Sequence, residues 1–228
     1  KQGKIADAVE LYTAVLQHQP NHPIAKKRLR ELQKELPQTP SMKEKMSSPP
    51  QDEIDALVNL YHSGQMIKAE QASRELLKPY PQALVAINVL GAALRGQGKL
   101  QEAVQAYDKA IQLNPDYAQA HYNLGITLKE LGRLEEAGAS YRQAISLKPD
   151  FVKAHYNLGV TLKGLGRLEE AEASYRQAIS LKPDFAEAHN NLGSTLQDLG
   201  RLEEAEASYR QAISLKPDLA EAHNNLGS

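Results

Sequence analysis

Arg167–Asp184 reads RLEEAEASYRQAISLKPD, and Arg201–Asp218 repeats it without a change, 34 residues further on. Arg133–Asp150 differs from both only at Gly138. Self-similarity at a fixed period of this length marks a repeat array in which each unit is one supersecondary element. Extending the frame gives five full units, at 50–83, 84–117, 118–151, 152–185 and 186–219, and a sixth that begins at Ala220. Towards the start, Lys1–His22 fits the second half of another unit, with Gly3, Ala8, Tyr12 and Pro20 in phase with Gly132, Ala137, Tyr141 and Pro149.

Each unit reads as two helices. In 118–151 the first is expected from Ala118 to Leu131, where Gly132 ends it. Its Leu124, Leu128 and Leu131 fall at i, i+4 and i+7, one stripe at helical spacing. The second is expected from Leu134 to Leu147, with Ala137, Tyr141, Ala144 and Ile145 as its stripe. Pro149 stops it, and Asp150 is expected to cap the next helix. Gly125 and Ala137 are small enough to let the paired helices approach closely, and Tyr141 fills the space between layers. Such a unit cannot bury its apolar face alone, so neighbours must stack into a continuous core.

The pattern Leu124-Gly125, Leu128, Gly132, Ala137, Tyr141, Ala144, Pro149 resembles the tetratricopeptide-repeat (TPR) signature, over roughly 190 residues of the chain. The family usually has Trp where this chain has His121, His155, His189 and His223, and unit 50–83 departs further, with Leu57 for Gly and Ser73 for Tyr. The resemblance implies an all-α, right-handed superhelix of antiparallel helix pairs, its inner surface lined by the first helix of each unit.

Two segments interrupt the array. Pro23–Leu36 has Ala25, Leu29, Leu32 and Leu36 at helical spacing, opposite Lys26, Lys27, Arg28, Arg30 and Lys34, and reads as a capping-type helix with a solvated basic face. Together with Lys1–His22 it makes an N-terminal segment, 1–36. Residues 37–49 are rich in Pro and Ser and read as a linker to the array at 50–228. Both ends of the chain fall inside a repeat, from which a fragment of a longer protein, or ends covered by another chain, is expected.

Composition excludes several classes. There is no cysteine, hence no disulfide or thiolate metal site, which fits a reducing, cytoplasmic setting. No apolar run approaches the ~18–20 residues of a membrane span. Residues 1–46 carry a net charge of +4 and residues 47–228 a net charge of −5. A mildly acidic body lacks the clustered cations that nucleic-acid binding needs.

The inner face carries the candidate site. Counting each unit from its first residue, positions 4, 7, 8 and 11 turn to the core and positions 2, 6, 9 and 13 lie opposite. Position 6 is Asn123, Asn157, Asn191 and Asn225 in successive units. Each amide offers the donors and acceptor that complement a peptide backbone. Helices packed ~8–10 Å apart would meet an extended chain, advancing ~3.3 Å per residue, at about every third residue. The alternatives are that these amides bond only between neighbouring helices, or that duplication has copied them.

The phrases HYNLGITLKELGRLEEA and HNNLGSTLQDLGRLEEA are similar to repeats of O-linked N-acetylglucosamine transferase, and that resemblance implies an asparagine ladder for extended peptides at Asn123, Asn157, Asn191 and Asn225. It does not extend to Val89 or Asp55, which stand at the same position earlier in the array. Position 5 adds Tyr122, Tyr156 and Asn190, and the middle of the groove reads as aromatic and basic through these tyrosines with Lys129, Lys153 and Lys163. A ligand with acidic residues toward the middle follows from those signs. Some chaperone-binding TPR domains clamp a C-terminal carboxylate with Lys and Asn of their first repeat; Ile54 and Val58 stand at those positions here, so that activity is not expected.

No catalytic or cofactor motif emerges. The four periodic histidines lie about one helix layer apart, ~8–10 Å, too far to share a Zn²⁺ at ~2.0–2.1 Å, and are expected as packed structural groups. Gly96-Gln97-Gly98-Lys99 lacks phosphate-loop spacing and reads as a turn. The pairs Glu135/Glu136, Glu169/Glu170 and Glu203/Glu204 open second helices, where carboxylates complement the helix dipole. The expected function is therefore interaction, not catalysis: a groove for extended peptides or partner proteins, with no metal or cofactor. The recognition region of a larger enzyme, such as a glycosyltransferase or sulfotransferase, and a head-to-tail self-assembling array are the alternatives; RNA binding has the least support.

Overall fold

The computed structural model describes residue 12, residues 22–35 and residues 48–226. The expected partial unit at Lys1–His22 and the expected linker lie almost wholly outside the described residues. The chain divides into two units, Lys1–Ser48 and Pro49–Ser228. The first contributes helix α1 (Pro23–Glu35), whose Ala25 is buried and whose Lys26, Lys27 and Arg28 are exposed. Arg28 pairs with Glu31 one turn on, at 2.8 Å.

The second unit is all-helical among its described residues. Its helices are α2 (Gln51–His62), α3 (Met66–Leu76), α4 (Leu84–Gly96), α5 (Leu100–Leu113), α6 (Ala118–Glu130), α7 (Leu134–Leu147), α8 (Val152–Gly164), α9 (Leu168–Leu181), α10 (Ala186–Asp198), α11 (Leu202–Leu215) and α12 (Ala220–Leu226). They alternate as first and second helices of the 34-residue frame. The turn inside each full unit is made by one glycine, Gly64, Gly98, Gly132, Gly166 or Gly200, at φ between 73° and 76°. That left-handed conformation costs any residue with a Cβ. After Gly132, the Arg133 N–H reaches back to the Leu128 carbonyl at 2.9 Å, closing the last turn of α6.

The turn between units is closed differently from the expectation. Asp150 does not cap α8: the N-cap residue is Phe151, and no side chain bonds to the exposed N–H groups there. A histidine acts instead. His121, His155, His189 and His223 each place Nε2 at 2.9, 2.9, 3.0 and 2.9 Å from the carbonyl oxygen of Pro115, Pro149, Pro183 and Pro217. A carbonyl only accepts, so Nε2 carries the proton in every case. The ring ties the first turn of each first helix to the proline that ended the helix before it.

Inside each unit the two helices meet at a glycine. A Cβ on Gly91, Gly125, Gly159 or Gly193 would stand 2.7 Å from the ring of Tyr107, Tyr141, Tyr175 or Tyr209 respectively. The tyrosine lies flat over bare backbone, and all four rings are buried. Unit 50–83 reaches the same end by exchange: Leu57 takes the glycine place and Ser73 the tyrosine place, both buried, at 2% and 0% exposure. The bulk has moved from one helix to the other.

First helices pack backbone to backbone against the next first helix all along the array, from α2·α4 to α10·α12, whereas second helices among the described residues reach one another only through long side chains, as in the Arg142–Glu170 and Arg176–Glu204 ion pairs. The layer whose members touch is the inner layer of a curved stack, and the layer whose members are spread apart is the outer one. The inner face is therefore built from α2, α4, α6, α8, α10 and α12. Among the described residues no helix is long and apolar enough to cross a membrane.

Candidate functional site

The inner face repeats with its helices, so each position of the 34-residue frame becomes a row. The asparagine row lies on it, and Asn123, Asn157, Asn191 and Asn225 are all half-buried. Each amide is anchored sideways. Nδ2 of Asn123 donates to Asn88 Oδ1 (2.9 Å), of Asn157 to the Tyr122 hydroxyl (3.0 Å), of Asn191 to the Tyr156 hydroxyl (3.0 Å) and of Asn225 to Asn190 Oδ1 (3.2 Å). Every bond spans 35 residues, from position 6 of one unit to position 5 of the unit before. The amides thus bond between neighbouring helices, as one sequence reading allowed, and one N–H of each is spent in doing so. Asn88 belongs to this network, although its neighbour Val89 takes the asparagine place in its own unit.

Position 5 is mainly an interface position. Tyr122 is buried, at 8% exposure, with its ring centroid 4.6 Å from Phe151 and 5.9 Å from Tyr141. Tyr156 repeats the arrangement on Phe185 (4.9 Å) and Tyr175 (5.9 Å) and is half-buried. Asn190 is buried, at 4% exposure. The expected aromatic groove wall is therefore turned into the seam between units, with Tyr122 and Asn190 closed to solvent. Burial pushes the Tyr122 and Tyr156 hydroxyls above the usual phenol value, against the lowering effect of the asparagine bond. Thr127, Thr161 and Thr195 complete the row, each donating its hydroxyl proton to the position-6 carbonyl one turn back, at 2.8–2.9 Å. That satisfies a buried hydroxyl without spending the asparagine side chain.

The basic groups differ from one another. Arg95 pairs with Glu130 at 3.0 Å, and Lys163 pairs with Asp198 at 3.0 Å and reaches the Ser194 hydroxyl. Lys129 and Lys153 have no ion pair among the described residues; Lys129 is half-buried and Lys153 is exposed. Other ion pairs stitch units together away from this face, among them Arg74–Glu102, Arg142–Glu170, Arg176–Glu204 and Arg201–Glu172. Glu70 receives Lys99, Gln97 and Arg74, which hold its carboxyl down to about 2. Among the described residues no group of three His, Cys, Asp or Glu side chains could hold a metal ion.

A family model described as TPR repeat matches residues 91–132, 127–166, 164–200 and 193–228. No curated protein matches the chain. Solved structures with the same fold include a MamA crystal structure, 24% identical with a TM-score of 0.66 over 72% of this chain and 95% of that one. MamA from Desulfovibrio magneticus RS-1 is 22% identical, with a TM-score of 0.66 over 74% and 97% of the two chains. YrrB, described as a TPR protein with an unusual peptide-binding site, is 22% identical, with a TM-score of 0.66 over 77% and 91%. The repeat frame, the glycine–tyrosine helix pairs, the stacked first helices and the family match over more than half of its length agree: the chain belongs to the tetratricopeptide-repeat family.

Proposed function

We propose that this chain is a binding module that holds an extended polypeptide along the inner face of its stacked first helices, by hydrogen bonds from the asparagine row to the ligand backbone, without catalysis of its own. The observation that carries the reading is the anchoring of Asn157 and Asn191. Each is fixed by a bond from one N–H to a tyrosine of the preceding unit, at 3.0 Å, and each side chain remains half-buried. An amide has a second N–H and a carbonyl, which is the pair of functions a peptide unit requires. Asn157 offers both, while Oδ1 of Asn191 also meets Asn190 Nδ2 at 3.4 Å and Oδ1 of Asn123 accepts from Gln119 at 3.0 Å, each keeping a second lone pair for a ligand. Anchoring removes the rotamer freedom that binding would otherwise have to freeze, so the row is preorganised. The resemblance read from the phrases HYNLGITLKELGRLEEA and HNNLGSTLQDLGRLEEA, if it extends to function, implies the same use of the asparagines.

The test is binding of an extended peptide library by fluorescence anisotropy, using unmodified peptides and peptides with N-methylated backbones. Methylation removes the ligand N–H groups and leaves the side chains. Loss of affinity on methylation is expected. Equal affinity would refute backbone recognition. A variant with Asn123, Asn157 and Asn191 changed to Ala should also lose the unmodified peptide, once circular dichroism shows it folded.

A further inference from the structure

Two rows join neighbouring units across the inner face, and one of them has a gap. The row from position 5 to position 6 is complete at the four interfaces from Asn88–Asn123 to Asn190–Asn225. The row from position 12 to position 13 of the following unit starts with Arg95–Glu130 and ends with Lys163–Asp198. Between them, 34 residues from each, stand Lys129 and Gly164. The cation is kept and its carboxylate is absent. Lys129 has no hydrogen-bond or ion-pair partner for its ammonium among the described residues.

The vacancy is open. A Cβ built on Gly164 meets only Leu134 Cδ1, at 3.5 Å, which is ordinary contact, and Gly164 is exposed. Gly164 is the last residue of α8 and has no positive φ, so nothing in its backbone demands glycine. The two flanking interfaces show what the space accommodates, since each holds a side-chain carboxylate 3.0 Å from the position-12 cation. The gap also falls in the middle of the array, two turns along α8 from the anchored Asn157, about 10 Å away.

We infer that the inner face holds one carboxylate side chain of a bound peptide at Lys129, in the space left by Gly164, so that the ligand supplies the ion pair the protein omits at this interface. This rests on the peptide-binding reading above and assigns that ligand an acidic residue. It also separates the basic groups: Lys163 is already matched by Asp198, and Lys153 is exposed and stands three turns before Gly164 on α8, so Lys129 is the cation that selects at this gap.

The experiment uses two dye-labelled extended peptides of Ala, Ser and Gln, one with a single central Glu and the other with Gln in its place. Their affinities are compared by anisotropy at low salt for the unaltered chain, K129Q and G164D. The unaltered chain should bind the Glu peptide about threefold tighter, the size of a solvent-edge ion pair. The preference should shrink as salt is added. In G164D the protein fills the gap with its own carboxylate, and in K129Q the cation is gone, so the ratio should fall to one in both. A ratio of one in the unaltered chain, or a preference that survives in G164D, overturns the inference and leaves backbone recognition standing. Failure of both peptides to bind removes backbone recognition and this inference with it.

Discussion

Replacing Gly159 by Ala should destabilise the array, whereas the same replacement at Gly138 should stabilise it. Both residues are inside helices, α8 and α7, and neither has a positive φ. Alanine therefore gains the same ~0.5–1 kcal/mol of helix preference at either place. The surroundings differ. A Cβ on Gly138 meets nothing nearer than Arg142 Nη1, at 3.7 Å. A Cβ on Gly159 lands 2.7, 2.8 and 2.9 Å from Cε1, Cδ1 and Cζ of Tyr175, the face of a ring that is 1% exposed and has nowhere to swing. Overpacking of this kind costs about 1–3 kcal/mol. Because the helix gain is common to both variants, their difference measures the packing cost alone. Urea denaturation followed by far-UV circular dichroism should place the G138A midpoint above that of the parent and the G159A midpoint below it, with the two about 1–3 kcal/mol apart. A G159A midpoint equal to that of G138A would refute the close approach of Tyr175 to the backbone of α8.

Other substitutions probe the ties between units. Phe in place of His155 removes the bond from Nε2–H to the Pro149 carbonyl, at 2.9 Å, and should cost about 1 kcal/mol in thermal or chemical denaturation. Phe in place of Tyr122 keeps the ring contacts with Phe151 and Tyr141 but deletes the acceptor for Asn157 Nδ2, and should cost about 0.5–1.5 kcal/mol. Glu70 gives a pH signature. Its folded carboxyl titrates at about 2 against an ordinary 4.5, so its contribution is fully present above pH 4.5 and is lost as pH falls through 2. E70Q should therefore be less stable than the parent at neutral pH, and the difference should close between pH 4.5 and 2 in parallel urea titrations.

The helices and their order were legible because Gly and Pro punctuate the chain every 34 residues and a stripe of small and apolar residues runs between them. The face carrying Asn123, Asn157 and Asn191 was legible from helical rotation alone. What each amide touches was not. That depends on how far one first helix is shifted against the next, a translation that a period in the sequence does not encode. The shift brings position 6 to position 5 of the preceding unit, which turns Tyr122 and Asn190 into the seam when the sequence had them on the groove. Asp150 looked like a cap because it stands just before a helix, but the turn places Phe151 at the N-cap and gives the closing role to His155. The gap beside Lys129 left a readable signal: the column Glu130, Gly164, Asp198 breaks its charge once while Arg95, Lys129, Lys163 does not.

The exchange of Leu57 and Ser73 for glycine and tyrosine bears on how such an array is able to recombine. A crossover at the boundary between units, at Pro81 and Pro115 for example, carries both helices together and leaves every pair matched. A crossover in the turn at Gly64 and Gly98 would not. It would set Leu57 against a tyrosine in one product and leave glycine facing serine in the other, a clash in the first and a hole in the second. Heredity in this fold is therefore quantised in whole hairpins. The identical stretches at Arg167–Asp184 and Arg201–Asp218 belong to units that share one pairing rule, while unit 50–83 follows another and is able to exchange with them only as a complete hairpin.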